Sequence, residues 1–528
     1  MATFTSAGAL AGLEAVGVSL LQYPASELES GASQVFLRVR RAAEAELVPL
    51  TGPTGARRVT LDNVGAVSTG SHLGISATLW WDEAPDAFAW RWRVINKGST
   101  DCQVDLCWCL DAGLASAADI ARNQYYVSQY LDVSPFAWRD GIGLGVRQNM
   151  PGAANPWLGL VSSAPASQWA TDAAQLSDPA LAGRIWPRGD LPNQRLQAEH
   201  TCAALRTTPR TLAPGDEAEG AFLGFAVADH PDATSDDDAP RVAALLDAAI
   251  WRRTEPPSVK PTETAPRSLF SFSPDFPADA LTDDDVAELV GPLTGVETAG
   301  GELLSGFATT SQVVTPAKER LVMRPHGQVL HAGVGPLFDE RGTAVTVWMR
   351  GGFATQLTRG HSCADPQLGL RQSWLGLVHA GGLRLAAQHE GEWRLLGLPS
   401  LWRLDQHGAT WWYRGAGQKI EVSLLVQPEG RCELSVTTDE PLLLIADAGP
   451  RLRFGGVDLG DDAPLFSDGI ARHTGQRCAL IGSGCYTLQV GEPVAQPAAH
   501  DWRLPQLEAD DETTSDVSRM LGWLAHDA

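Results

Sequence analysis

Between residues 72 and 110 the chain alternates apolar and polar side chains with a period of two. Leu73, Ile75, Ala77, Leu79 and Trp81 alternate with His72, Ser76 and Thr78. After a Glu83-Ala-Pro-Asp86 turn, Phe88, Trp90, Trp92 and Val94 fall on one face and Arg91 and Arg93 on the other. An Asn96-Lys-Gly98 turn leads to Val104, Leu106, Trp108 and Leu110. Successive side chains of a strand point to opposite faces, so each run carries one apolar face that must be covered. Three such strands joined by short turns predict an antiparallel meander, and a face this rich in indole needs a second sheet packed on it. The fold class is therefore mainly β, built from antiparallel sandwiches.

The same pattern returns later. Val345, Val347 and Met349 alternate, Leu383 and Leu385 precede a Glu390-Gly-Glu392 turn and a strand from Trp393 to Leu396, and Ile420, Val422, Leu424 and Val426 run through Pro428-Glu-Gly430 into Cys432, Leu434 and Val436. Between the two blocks the composition changes. Asp237 or Asp238 caps a helix with Pro240 in its first turn and Val242, Leu245, Leu246 and Ile250 as its apolar stripe. A Pro-rich stretch from Pro256 to Pro266 breaks it, and Thr282 caps a shorter helix through Val286, Leu289 and Val290 that Gly291 ends. This gives an N-terminal sandwich over 1–230, a helical and Pro-rich connector over 231–300, a second sandwich over 301–505, and a linker with the start of a helical segment over 506–528. In the last of these, Ser515 and Asp516 open an amphipathic helix carried by Val517, Met520, Leu521 and Leu524.

The chain of 528 residues is long enough for several full cores. Its formal net charge of −23 repels phosphate backbones and anionic lipid, which argues against nucleic-acid and membrane partners. No basic leader or bilayer-length apolar run appears, so the expected compartment is the cytoplasm. The 18 Trp favour either sandwich cores or a surface that stacks on sugar rings. The eight Cys show no CxxC pairing; Cys107 and Cys109 flank Trp108 on one strand, point to the same face and read as small apolar side chains, so no metal site is expected.

Candidate site residues come from polar and aromatic stretches that read as loops: Asn123, Gln124, Tyr125, Tyr126 and Gln129, then Arg147, Gln148 and Asn149, then Pro156 and Trp157. Arg324-Pro-His326 places a permanent cation and a titratable ring on one face of an extended segment. Arg147, Gln148, Asn149, Trp157, Arg324 and His326 are thus candidates for substrate binding, holding sugar hydroxyls or an anion; the alternative is that the Arg and His side chains tie loops between the sandwiches by hydrogen bonds to backbone. Gly141-Ile-Gly-Leu-Gly145 mimics a nucleotide loop but runs on in a β pattern through Val146 and Arg147. Asp82 and Glu83 form a carboxylate pair, yet turn acids at a strand end are common and nothing opposes them.

The phrases NQYYVSQYLD, GIGLGVRQNM, LPNQRLQAEHTCAALRT and ADHPDATSDDD, with RLVMRPHGQVLHAG further on, resemble the N-terminal region of 1,2-β-oligoglucan phosphorylases of glycoside hydrolase family 94. The resemblance implies β-sandwich domains ahead of a helical barrel in which inorganic phosphate cleaves β-1,2-glucosidic bonds with inversion to α-glucose 1-phosphate, without metal or organic cofactor. The WLAHDA phrase at Trp523 to Ala528 is similar to the opening of that barrel, with Trp523, His526 and Asp527 as wall residues. On this reading the chain carries no catalytic residue, lacks the barrel and is inactive alone; its partners are β-glucan oligosaccharides. The alternative is a carbohydrate-binding or assembly subunit that works with a separate barrel polypeptide. The oligomeric state stays open.

Overall fold

The strands Ile75–Ala84 and Ala87–Asn96 form one hairpin, closed between Ala84 and Ala87 with Asp86 at φ 52°. Around it grows a nine-stranded antiparallel sheet whose spatial order is Leu131–Trp138, Gly141–Gln148, Trp157–Ser162, Glu217–Val227, Ala87–Asn96, Ile75–Ala84, Ala66–His72, Arg58–Leu61 and Glu263–Thr264. These elements belong to a computed structural model that describes residues 2–490 except 42–43, 54–57, 151–153, 179–183, 197–199, 257–262, 265–268, 271–273, 323–324, 333–342, 360–365, 370–379, 429, 450 and 460–475. The proposed helix at 515–524, with Trp523, His526 and Asp527, lies outside the described residues.

A six-stranded sheet faces the first and contains Cys102–Leu110 at its centre, between Gln34–Arg41 and Thr201–Thr207. The expected three-strand meander is thereby corrected: the third strand crosses to the opposite layer. Its alternation reads the same in either sheet, because periodicity fixes which face is apolar and not which neighbour supplies the hydrogen bonds. Asn96 builds the crossing, its amide donating to Thr100 O and Leu212 O at 2.9 Å each. Leu73 is a second correction. It leaves the strand for a tight turn, with Leu73 at φ 43° and Gly74 at φ 77°, which closes the pair His72 and Ile75.

The crossing puts apolar faces together. Ile75, Leu79, Trp81, Phe88, Trp90 and Trp92 of the larger sheet share one core with Val35, Leu37, Val104, Leu106 and Trp108 of the smaller. Phe88 meets Trp108 edge to face at 6.1 Å, and Trp81 meets Trp90 at 5.1 Å. Fully burying each such side chain contributes about 1.5–3 kcal/mol. The outer faces are covered as well. Helix Asp238–Ala248 lays Val242 on a second apolar layer containing Phe136, Trp157 and Phe225, while Ile250 falls past the helix end and is 82% exposed, against its assignment to the stripe. Cys107, Cys109 and Cys202 pack with Tyr23, Phe36 and Leu176 on the far side of the smaller sheet.

The second block repeats the layering. A nine-stranded sheet from Thr294–Ala299 to Leu452–Gly455 packs on an eight-stranded one containing Thr343–Trp348, Leu383–His389 and Leu442–Asp447. Val345, Val347, Leu385 and Leu444 meet Trp411, Tyr413, Ile420, Val422 and Leu434 in its core. The hairpin at Glu390 and Gly391, with φ 53° and 81°, and the return through Cys432 and Leu434 follow the expected pairing. Thr282 caps helix Asp283–Val290 and Gly291 ends it at φ 80°, also as expected.

The connector is not a free tether. Leu28 of the N-terminal block and Leu269 and Phe270 of the connector share a dry cluster with Ala386, Leu395, Leu443 and Ile445 of the second block. Ala380 N donates to Glu29 across the same seam. Asp275 is half-buried there, with Arg184, Arg350 and Arg384 as favourable charges, and burial lowers the Arg384 guanidinium to about 10.

Two buried acids test the energetics. Asp105 sits 1% exposed between Arg38, at 2.9 Å, and Arg206, at 3.6 Å, and burial outweighs these cations to raise its carboxyl above the usual range. Asp105→Asn leaves two buried guanidiniums with only the largely exposed Asp190 as counter-charge and is expected to cost about 3–5 kcal/mol in urea unfolding. Asp111 accepts from the Ser33 hydroxyl and the Tyr23 amide, yet complete burial raises it from 3.8 to about 7. A raised folded-state value means the native form holds the proton more tightly, so this group's contribution is present below about pH 4 and is lost as pH rises toward 7. Unfolding measured at pH 4, 5.5 and 7 should show wild type losing up to about 4 kcal/mol relative to Asp111→Asn over that window.

Candidate functional site

Arg147 and Trp157 are directly opposite each other on neighbouring strands, so both project from the outer face of the nine-stranded sheet. The space for them comes from glycine. A Cβ on Gly145 would lie 2.7 Å from Trp157 Nε1, and one on Gly159 would lie 2.4 Å from its ring. The Gly141-Ile-Gly-Leu-Gly145 run is therefore a strand, as its β pattern predicts, and its Gly145 leaves room for the indole.

Arg147 donates through Nε to His230 O at 2.7 Å, through Nη2 to Pro231 O at 3.0 Å, and through Nη1 to Asn149 Oδ1. Trp157 is 0% exposed: His230 stacks on it at 5.0 Å with an interplanar angle of 16°, and Nε1 donates to Thr234 Oγ1 at 2.9 Å. Gln148 is buried and holds Met150 N at 3.1 Å. His230 is itself buried, with Nδ1 2.7 Å from Asp232 O and Nε2 2.7 Å from Asp238 Oδ1. Both ring nitrogens thus face acceptors, which fixes the orientation of the imidazole. Arg147 and Trp157 are thus brought together and grip the segment 229–238, with Asn149 bracing Arg147, whereas the Gln148 side chain turns away and donates to Val127 O at 3.4 Å. A sugar cannot stack on Trp157 in this arrangement because the indole is fully buried beneath that segment.

The stretch 123–129, which the sequence reads as loop, is the second half of helix Ala117–Gln129, capped by the Ser116 hydroxyl accepting from Asp119 N at 3.1 Å. Arg324 lies outside the described residues. His326 belongs to another group: its backbone N and its Nδ1 both meet Glu319, the ring at 2.5 Å, and Glu319 is fully buried with Arg350 Nε 3.5 Å away. A buried carboxylate on Nδ1 orients an imidazole and leaves Nε2 as the ring atom for a hydroxyl. Arg147 and His326 are therefore anchored separately, one to 229–238 and the other to Glu319.

Asp82 and Glu83 are held by arginines. Asp82 accepts from Arg91 Nε at 2.7 Å and Arg253 N at 2.6 Å, and Glu83 pairs with Arg252 at 2.5 Å. Among the described residues no three His, Cys, Asp or Glu side chains are grouped to hold a metal ion, and no helix is long and apolar enough to cross a membrane. His230, Thr234 and Glu319 escape a residue-by-residue reading. The first two sit in the ADHPDATSDDD phrase, whose acidic run masks a partner for a buried ring.

Residues 3–224 match the SOGP N-terminal domain, and residues 294–438 match the glycoside phosphorylase supersandwich domain. A 1,2-β-oligoglucan phosphorylase of Listeria innocua serovar 6a is 26% identical over 438 residues, covering 81% of this chain and 39% of that protein. The chain thus spans about two fifths of the length of this curated relative. Among solved structures, a polysaccharide lyase aligns over 83% of this chain and 44% of its own at 8% identity and a TM-score of 0.29. A putative kojibiose phosphorylase from human microbiome aligns over 43% and 26% at 10% identity and a TM-score of 0.22.

The wiring of Trp157 has a measurable consequence. Trp157→Ala removes a fully buried indole and should destabilise the fold by roughly 3–5 kcal/mol in thermal or urea unfolding. Arg147→Met should instead leave global stability closer to wild type and raise amide exchange selectively across 229–238, because it removes donors from that segment's carbonyls.

Proposed function

From its SOGP N-terminal and glycoside phosphorylase supersandwich domains this chain is a relative of the glycoside phosphorylases, and we propose that it forms the non-catalytic N-terminal portion of a family 94 enzyme acting on 1,2-β-glucan oligosaccharides. The observation that carries the reading is the pair of domain matches in their order along one chain, together with identity that extends over 81% of it. The geometry supports it. Inverting cleavage needs an acid free to give up a proton across from the attacking group, whereas Asp82, Glu83 and Asp105 are each tied to arginine.

In the complete reaction, phosphate is the co-substrate, the product is α-glucose 1-phosphate, and neither metal nor organic cofactor takes part; the setting is the cytoplasm. These sandwiches would serve as a rigid support for the catalytic part. A second reading, an assembly subunit for a separately encoded barrel, draws on the edge of the second block. There the strand Thr294–Ala299 is exposed throughout, with Val296 51% and Phe307 47% exposed beside it.

Purified chain incubated with 1,2-β-glucan oligosaccharides and phosphate is expected to release no glucose 1-phosphate, as read by a coupled enzymatic assay. Release at a turnover typical of enzymes would overturn the non-catalytic assignment. Activity that appears only on mixing with a helical-barrel polypeptide would select the second reading.

A further inference from the structure

The loop 22–33 runs from a buried carboxyl group in the N-terminal sandwich to the surface of the second block. Both of its ends are held by Asp111. Gln22 N donates to Asp111 O at 3.0 Å, Tyr23 N donates to Asp111 Oδ2, and the Ser33 hydroxyl donates to Asp111 Oδ1 while accepting from Asp111 N at 3.2 Å. The loop turns back on itself at Gly31, which stands at φ 67° and where a Cβ would lie 2.6 Å from Tyr23 O. It is a compact loop closed at its base, and Asp111 is the closure. The tip lies on the second block: Leu28, 4% exposed, packs with Ala386, Leu395, Leu443 and Ile445, and Glu29 accepts from Ala380 N at 3.3 Å.

Asp111 is fully buried, and its side-chain oxygens meet an amide and a hydroxyl rather than a cation. In the protonated form one oxygen donates to Ser33 Oγ and the other accepts from Tyr23 N, so both bonds survive. An ionised carboxylate in this dry setting lacks a counter-charge, and it regains water only when Tyr23 and Ser33 come away. Burial raises the carboxyl from 3.8 to about 7, and in an opened loop it returns toward 3.8. Closure therefore gains from this group below about pH 4 and loses that gain as pH rises toward 7.

The titratable groups around it are Cys202, whose thiol burial pushes far up, Asp172, which accepts from His200 N at 3.4 Å, and His200, stacked on Tyr23 at 4.5 Å. Burial holds His200 down at about 3, so an opening that bares it is favoured by acid, in the opposite sense to Asp111. At the tip, Glu29 faces Arg184 and Arg384.

We propose that Asp111 is a proton-operated latch between the two blocks: neutral, it holds loop 22–33 shut with Leu28 and Glu29 seated on the second block, and on losing its proton it releases them. The inference stands apart from the glucan reading and needs no ligand.

The test is hydrogen exchange of the full chain, read by mass spectrometry from pH 5 to 8.5 with rates corrected for their intrinsic pH dependence. The quantity is the opening constant of wild type divided by that of Asp111→Asn, whose neutral amide keeps an acceptor for Tyr23 N and a donor for Ser33. Contributions of His200 and Glu29 are common to both chains. The ratio is expected to rise about tenfold per pH unit between pH 5 and 7 and to level off above, in 22–33 and equally around Ala380 and Leu383–His389. Both regions should open far more readily than the core hairpin Ile75–Asn96; one shared opening constant would mean global unfolding and overturn the latch. A ratio flat with pH would overturn it too. Adding Glu29→Gln to both chains should leave the slope in place, and its disappearance would move the switch to the loop tip and away from Asp111. Ser33→Ala, which unties one end without altering charge, should raise opening of the loop and of the Ala380 region together at pH 5. A loosened loop beside an unmoved Ala380 region would overturn the coupling even where Asp111→Asn folds poorly.

Discussion

The edge-to-face packing of Phe88 on Trp108 across the N-terminal sandwich is the contact on which the rest of that block depends. It joins two sheets whose indole-rich faces would otherwise meet water, and it is possible only because the chain changes layers between Asn96 and Cys102. Once the layers are set, the outer faces are set too. The larger sheet turns Trp157 and Phe225 toward helix Asp238–Ala248, and the smaller turns Cys107 and Cys109 toward Tyr23 and Leu176. Both sheets are thus apolar on two sides, which explains strands such as Trp157–Ser162 that are buried along their whole length.

Charge follows the same layering. Arginine supplies almost all of the cations, and in the interior it is matched by acids: Arg38 and Arg206 to Asp105, with Asp190 at the rim, and Arg91 to Asp82. A planar guanidinium can satisfy a carboxylate and several carbonyls together, as Arg206 does with Asp105, Gly189 and Pro187. Such pairs add little net stability over an apolar core, but losing one partner is expensive. They fix how loops lie on the sheets. Arg147 and His230 do the same for residues 229–238, which cover Trp157.

Much of the fold was legible because it depends on local periodicity. The core positions Trp81, Trp90, Trp108, Val422 and Leu434 follow from alternation alone, and the caps Thr282 and Gly291 from residue type at the helix ends. The candidate site was legible only as composition. Arg147, Asn149 and Trp157 did converge while Gln148 turned to Val127, but a polar sequence around an aromatic gives no sign that a segment some seventy to eighty residues later will close over it. The polar run at 123–129 misled for a related reason: its helix rests on the Ser116 cap and on packing of Ile120 and Val127, which a polar run does not announce.

By itself the sequence determined that the chain is β, where its turns fall, which side of each strand is apolar, and which phosphorylase relatives it resembles, since all of these reside in side-chain order along the chain. The tertiary structure alone decided which sheet each strand joins, that Trp157 is a buried pillar beneath His230, and that Glu319 orients His326. The physical reason is that hydrogen-bond partnership and burial are properties of pairs distant in the chain. Period-two alternation specifies a face, and only the packed neighbours specify what that face meets.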